Sequence, residues 1–327
     1  MKLLCTIGDC NGISLEVFFK ATQELTGILN QGISISLCAN SQTVSDYAAI
    51  VGLEVHCSNT EISFGSMNIP FVNCTTYSKV KLGSPSDSAS RLAVESLEKS
   101  IRLTSSGDFD ALITLPVSKG SLKQIGWDFP GQTEMIASHC NVDNPMMILC
   151  SDTVRVALAT IHTPLTNVPA AITQAHILER IATFHKSLEL DFALTTPSIA
   201  VLGLNPHAGE QGEIGSEEIT SINPAIVQSK NYGINAKGSF PADGFFAHGE
   251  YKLFDGILAM YHDQGLIPLK LLATDGGVNF TAGLPIVRTS PDHGTAYSIA
   301  GKGIADHKST VSAILLAHRI ANNRRNQ

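Results

Sequence analysis

Short apolar runs of strand length alternate with stretches of helical period along nearly the whole chain, and that alternation restricts the fold more than any other feature. Residues 2–7 and 33–39 read as strands with a helix over 14–25 between them, and Ser41 is a candidate cap for a helix reaching Gly52. Over residues 86–105, Leu92, Val94, Leu97, Ile101 and Leu103 fall near helical spacing. Residues 109–115, 146–150, 154–161, 199–204 and 254–260 read as further strands, and 173–188, 216–228 and 307–322 as helices. Strands separated by helices predict a largely parallel, doubly wound α/β sheet, in which ligands bind beyond the carboxyl ends of the strands.

Three of the apolar runs end in a histidine followed closely by a turn signal. VRVALATIH ends at His162 before Thr163-Pro164, IAVLGLNPH at His207 before Ala208-Gly209, and FDGILAMYH at His262 before Asp263-Gln264-Gly265. A strand buried on both faces has no use for imidazole, so the chemistry is expected at the strand ends. A single such histidine is more often structural, bonded to a neighbouring loop; three at equivalent ends favour a metal site. Neutral imidazoles suit Zn²⁺, Co²⁺ or Ni²⁺ better than Mg²⁺. Three protein ligands with open positions describe a catalytic site.

Composition bounds the function classes. With 43% hydrophobic and 16% charged residues, the 327-residue chain is globular and has room for two lobes. A net charge of −7 without a long basic run argues against nucleic-acid or anionic-membrane surfaces. The seven cysteines contain no CxxC and several lie in apolar runs, which fits reduced thiols in a cytoplasmic protein. No stretch reaches the roughly 18–20 apolar residues of a membrane span. GxGxxG and Walker A sequences are both missing, and the glycine turn TIGDCNG after the first strand is weak as a phosphate loop.

Two further segments carry charge among apolar and glycine-rich sequence. Residues 265–296 place Lys270, Asn279 and Arg288 in what reads as loops, a setting for capturing phosphate or carboxylate. Residues 293–295 read as the start of a helix whose N–H groups would add to that anion site. In the third segment, residues 115–135, Gly131-Gln132-Thr133-Glu134 precedes a helix, and Thr133 is either its cap or a ligand contact. Asp243 in FPADGFF is a substrate-contact candidate with a turn role as the alternative.

ATIHTPL, GLNPHAGE, AMYHDQG, GVNFTAGLPIVRTSPDHGTA and PGQTE together resemble the 4-hydroxythreonine-4-phosphate dehydrogenase family of pyridoxal phosphate biosynthesis, over nearly the full chain. The resemblance implies a two-lobed α/β fold similar to isocitrate and isopropylmalate dehydrogenases, with a cleft between the lobes, and a homodimer completing the site across its interface. A first lobe of residues 1–129 and 280–327 and a second of 130–279 carrying the metal histidines are expected. It also implies NAD or NADP bound without the dinucleotide fingerprint, and one divalent metal (zinc, cobalt or magnesium) on His162, His207 and His262. Lys270 would be catalytic beside His262, and Gln132, Thr133, Lys270, Asn279 and Arg288 would bind substrate.

The implied reaction is oxidation and decarboxylation of 4-phosphooxy-L-threonine to 3-amino-2-oxopropyl phosphate. Two departures stand out. The family's GHTE histidine is Gln132 here, which cannot become cationic near neutral pH. The N-terminal turn, usually close to GDPAGIGPE, reads GDCNGISLE. The first leaves phosphothreonate or phosphoerythronate open as substrates. A metal-dependent lyase or hydrolase without nicotinamide, and a non-catalytic phosphometabolite-binding protein, are the readings from other classes.

Overall fold

The computed structural model describes residues 1–29, 32–273 and 276–327. Strands β1 (Lys2–Thr6), β2 (Ser34–Ala39), β3 (Val55–Cys57), β4 (Glu61–Phe64), β5 (Met67–Asn73) and β6 (Ala111–Ile113) come first. They are followed by β7 (Met146–Cys150), β8 (Arg155–Leu158), β9 (Ser198–Leu202), β10 (Asn235–Phe240), β11 (Gly256–Ala259), β12 (Val278–Ala282) and β13 (Val287–Pro291). The chain divides into two compact units, Met1–Asp143 with Leu284–Ala321, and Asn144–Gly283 with Asn322–Gln327.

In the first unit β13, β6, β1, β2 and β5 lie side by side and parallel, and β4 and β3 continue antiparallel beyond β5. Both faces of the central strands are covered: every residue of the apolar Ala111–Ile113 and of the more polar Val287–Pro291 is buried. The helix Asp87–Ser105 is capped by Ser86, whose hydroxyl accepts from the Ala89 N–H, and it buries Leu92, Leu97 and Ile101. Each such side chain contributes about 1.5–3 kcal/mol when fully buried. Met135, Ile136 and Ala137 join Leu97, Leu112 and Trp127 in one cluster. Residues 130–143 therefore belong to the first unit, whereas the sequence boundary at 129/130 assigned them to the second.

In the second unit β10, β9, β11 and β8 are parallel neighbours, and β7 pairs antiparallel with both β8 and β12. The helix His262–Leu272 packs on this sheet at Gly265, where a Cβ would lie 2.8 Å from both Leu158 Cδ2 and Val156 Cγ1. Only glycine permits that approach.

Several expected elements differ. Strands β3, β4, β5, β10, β12 and β13 are additional. The helix at 41–52 starts from Asn40, whose side chain accepts from the Thr43 N–H, and Ser41 is its first residue. Residues 293–295 open no helix: the next element after β13 is a 3-10 turn, Tyr297–Ile299. Residues 216–228 form a π turn, Glu218–Ile222, and then the helix Asn223–Ser229.

Candidate active site

Three adjacent parallel strands of the second unit, in the order β9-β11-β8, each deliver one of the expected histidines just past the carboxyl end. His162 lies beyond β8, His207 beyond β9 in an irregular turn, and His262 opens the helix that follows β11. The rings of His162 and His262 are 6.2 Å apart between centroids. His207 is exposed. Among the described residues, no three His, Cys, Asp or Glu side chains of one chain are gathered to hold a metal.

His262 Nδ1 lies 2.7 Å from Asp263 Oδ1. With the proton on Nδ1 donated to that carboxylate, Nε2 keeps its lone pair, the tautomer a metal ligand needs. Gln264 adds a contact that was missed in the sequence. Its Oε1 accepts from the Met260 N–H at 2.7 Å and its Nε2 donates to the Gly203 carbonyl at 2.6 Å. One side chain thus ties the end of β11 to the end of β9, immediately before two of the histidines. An amide two residues after a strand-end histidine was the available signal.

Lys270 and Asn279 do not lie in loops. Lys270 is exposed in the last turn of the helix His262–Leu272, and Asn279 is in β12. The run LIPLKLL reads as loop because Pro268 interrupts it, yet the helix continues through that proline. Asn279 Oδ1 is buried without a protein partner, an acceptor waiting for a donor. Thr274 and Asp275 of the same segment lie outside the described residues. Asp243 is exposed in the first turn of the helix Ala242–Ala247.

The first unit holds a second constellation. Arg288, in β13, is 3% exposed, and its Nε and Nη2 donate to Thr114 Oγ1 at 3.0 and 2.6 Å. Its Nη1 donates to Thr133 Oγ1 at 3.2 Å. Burial lowers its pKa from 12.5 to about 10, with Glu134 opposing the shift, so it remains a cation at neutral pH. Thr133 is not a cap: the helix Gln132–His139 begins from the extended Gly131, and the Thr133 hydroxyl is committed to Arg288. A Cβ on Gly131 would lie 2.8 Å from Glu134 Oε2 and 3.6 Å from Lys119 Nζ, so a second cation borders this helix start.

The family of pyridoxal phosphate biosynthetic protein PdxA matches residues 30–317. The 4-hydroxythreonine-4-phosphate dehydrogenase of Bacteroides thetaiotaomicron is 41% identical, covering 100% of this chain and 90% of that protein. The chain belongs to the PdxA family. The crystal structure of the Klebsiella pneumoniae 4-hydroxythreonine-4-phosphate dehydrogenase superposes with a TM-score of 0.83 at 32% identity, covering 98% of both chains. The isocitrate dehydrogenase of Methylococcus capsulatus, 12% identical with a TM-score of 0.51 over 99% of this chain and 87% of that one, shares the fold.

Within the PdxA family this chain's two departures have structural roles. Gln132 is half-buried and its Nε2 donates to the Leu115 carbonyl at 3.2 Å, tethering the helix start to the residues after β6. In the N-terminal turn, Asn11 Nδ2 donates to Ser84 O and Ser86 Oγ at 2.9 and 3.0 Å, and Asn11 Oδ1 accepts from the Lys81 N–H at 2.7 Å. Burial pushes the Cys10 thiol up to about 12, so it is inert. The turn itself is closed by its own chain: a Cβ at Gly12 would lie 2.5 Å from the Thr295 carbonyl.

Proposed function

We propose that this PdxA-family chain is a 4-hydroxythreonine-4-phosphate dehydrogenase, oxidising and decarboxylating 4-phosphooxy-L-threonine to 3-amino-2-oxopropyl phosphate in the cytoplasm. The observation carrying the reading is that three adjacent parallel strands, β9, β11 and β8, each place a histidine beyond the carboxyl end. The donor set fits a borderline divalent metal: three imidazoles, with the His262 Nδ1 proton held by Asp263. His162, His207 and His262 would hold it, the set being completed in a homodimer.

When bound, the metal supplies Lewis acidity at the substrate hydroxyl and carboxylate, and NAD or NADP supplies the hydride acceptor. The chain's own residues do the rest. Arg288, its guanidinium aligned by Thr114 and Thr133, would hold the phosphate as a cation that needs no reorganisation on binding. The Thr133 hydroxyl and the Gln132 amide would orient the same group from the helix start. Asn279 Oδ1, the orphaned buried acceptor, suits the ammonium or hydroxyl of an amino-alcohol acid. Lys270 would supply a proton after carbon dioxide leaves, or hold an anionic oxygen.

The test is a panel of 4-phosphooxy-L-threonine, phosphothreonate and phosphoerythronate with NAD⁺ or NADP⁺ and Zn²⁺, Co²⁺ or Mg²⁺. Reduced nicotinamide and carbon dioxide formed together, fastest with 4-phosphooxy-L-threonine, are expected. Preference for phosphothreonate or phosphoerythronate would move the substrate to the reading that Gln132 favours. Substrate loss without nicotinamide reduction would overturn the dehydrogenase in favour of a lyase or hydrolase.

A further inference from the structure

His207 stands on backbone that side-chain-bearing residues avoid. Across residues 207–211 every φ is positive: 53, 50, 79, 41 and 58°. Only Gly209 among them lacks a Cβ. Left-handed helical geometry costs roughly 1–2 kcal/mol for each residue other than glycine, so the surrounding structure has to impose it.

Glu218 imposes it. This residue begins the π turn, is 1% exposed, and spends both carboxylate oxygens on the approach to the turn. Its Oε1 accepts the N–H groups of Leu204 and Asn205 at 2.7 and 2.8 Å, and its Oε2 accepts Asn205 Nδ2 at 2.9 Å. The same carboxylate also lies against the turn, since a Cβ at Gly209 would fall 2.6 Å from Oε2. One buried group therefore bonds the chain just before His207 and packs against it just after. Gln264 takes the neighbouring Gly203 carbonyl, so the exit of β9 is held through its N–H and C=O groups by two side chains.

Burying a carboxylate is expensive unless its oxygens are hydrogen-bonded, and here the bonds go to the backbone that leads to a single imidazole. We propose that Glu218 is a positioning residue for metal binding. It holds the left-handed turn that presents His207 and sets the metal affinity of the site without touching the metal. This rests on the reading that His207 is a ligand.

The experiment measures Co²⁺ affinity and the Co²⁺ absorption spectrum of the purified full chain as wild type, Glu218→Gln, His207→Ala and the double variant. Hydrogen exchange at the Leu204 and Asn205 amides is followed in each. A glutamine keeps the size but turns one acceptor into a donor facing Asn205. Glu218→Gln is expected to weaken Co²⁺ binding about 10- to 100-fold, as loss of a residue supporting a ligand does, and to shift the spectrum. Exchange should quicken at those two amides and stay slow within β9. In the His207→Ala background Glu218→Gln should add nothing to the loss. If Glu218→Gln does not fold, Asn205→Ala, which removes the side-chain contacts with Glu218 and Glu217 and keeps the backbone N–H bond to Glu218, is expected to weaken binding in the same His207-dependent way. Wild-type Co²⁺ affinity in Glu218→Gln, with binding lost in His207→Ala, would overturn the positioning role and leave the ligand reading intact. Wild-type affinity in His207→Ala would overturn both.

Discussion

Arg288→Met separates a binding role from a structural one. The side chain is buried, and its pKa falls from 12.5 to about 10 because the surroundings disfavour the charged form. That drop corresponds to on the order of 3 kcal/mol against the cation. The disfavoured form is the protonated one, so the cost is fully present at neutral pH. It is relieved only as pH rises through about 10. Methionine fills similar volume and carries no charge, which removes that cost. It also loses the guanidinium's hydrogen bonds to Thr114 and Thr133, each on the order of 1.5–3 kcal/mol because the donor is charged.

The relieved burial cost offsets only part of that loss, so folding stability should fall by a few kcal/mol, read as a drop of several degrees in Tm. Binding has no such compensation. A hydrogen bond to a charged group is worth about 1.5–3 kcal/mol, so kcat/KM should fall roughly 10- to 150-fold, mainly through KM. Thermal unfolding and steady-state kinetics with 4-phosphooxy-L-threonine measure the two effects separately. A large loss of Tm with unchanged kcat/KM would show that Arg288 is a core ion and refute the phosphate role.

His262→Ala should abolish turnover and lower the metal content of the purified protein while circular dichroism stays that of wild type, since the His262 side chain is 39% exposed at a strand end. Metal content equal to wild type would sink its assignment as a ligand. Gly265→Ala should destabilise by about 1–3 kcal/mol, because its Cβ would meet Leu158 and Val156 at 2.8 Å; an unchanged Tm would refute the close packing. Gln132→His should raise kcat/KM for 4-phosphooxy-L-threonine most clearly below pH ~6.5, where a histidine is largely protonated and its contact with phosphate is charge-assisted. No change between pH 6 and 9, with phosphothreonate compared in parallel, would mean that position 132 does not reach the substrate.

What the sequence revealed depended on the range of the interaction behind each feature. The strand-end histidines were legible because the signal is local: an apolar run breaks on an imidazole just past the point where burial ends, as between Thr160 and His162. The strand carrying Arg288 was not. VRTSP contains a cation and a proline and reads as loop, yet all five residues are buried, because Thr114 and Thr133, 174 and 155 residues away in sequence, satisfy the guanidinium. The alternative reading of Thr133 as a helix cap fails for the same reason. A threonine before an apolar run is locally a good cap, but its hydroxyl is claimed by Arg288, and the helix instead begins from an extended glycine. Gln264 stood inside the AMYHDQG motif without a role, since its partner, the Gly203 carbonyl, lies 61 residues earlier and is brought near only when β9 and β11 pair. Chemistry-bearing side chains are therefore readable where local pattern fails to explain them, while the groups that aim and hold them emerge only from strand pairing. Glu218 belongs to that second class: its short distance to Leu204 and Asn205 in sequence carried no signal until the left-handed turn it lies against was in view.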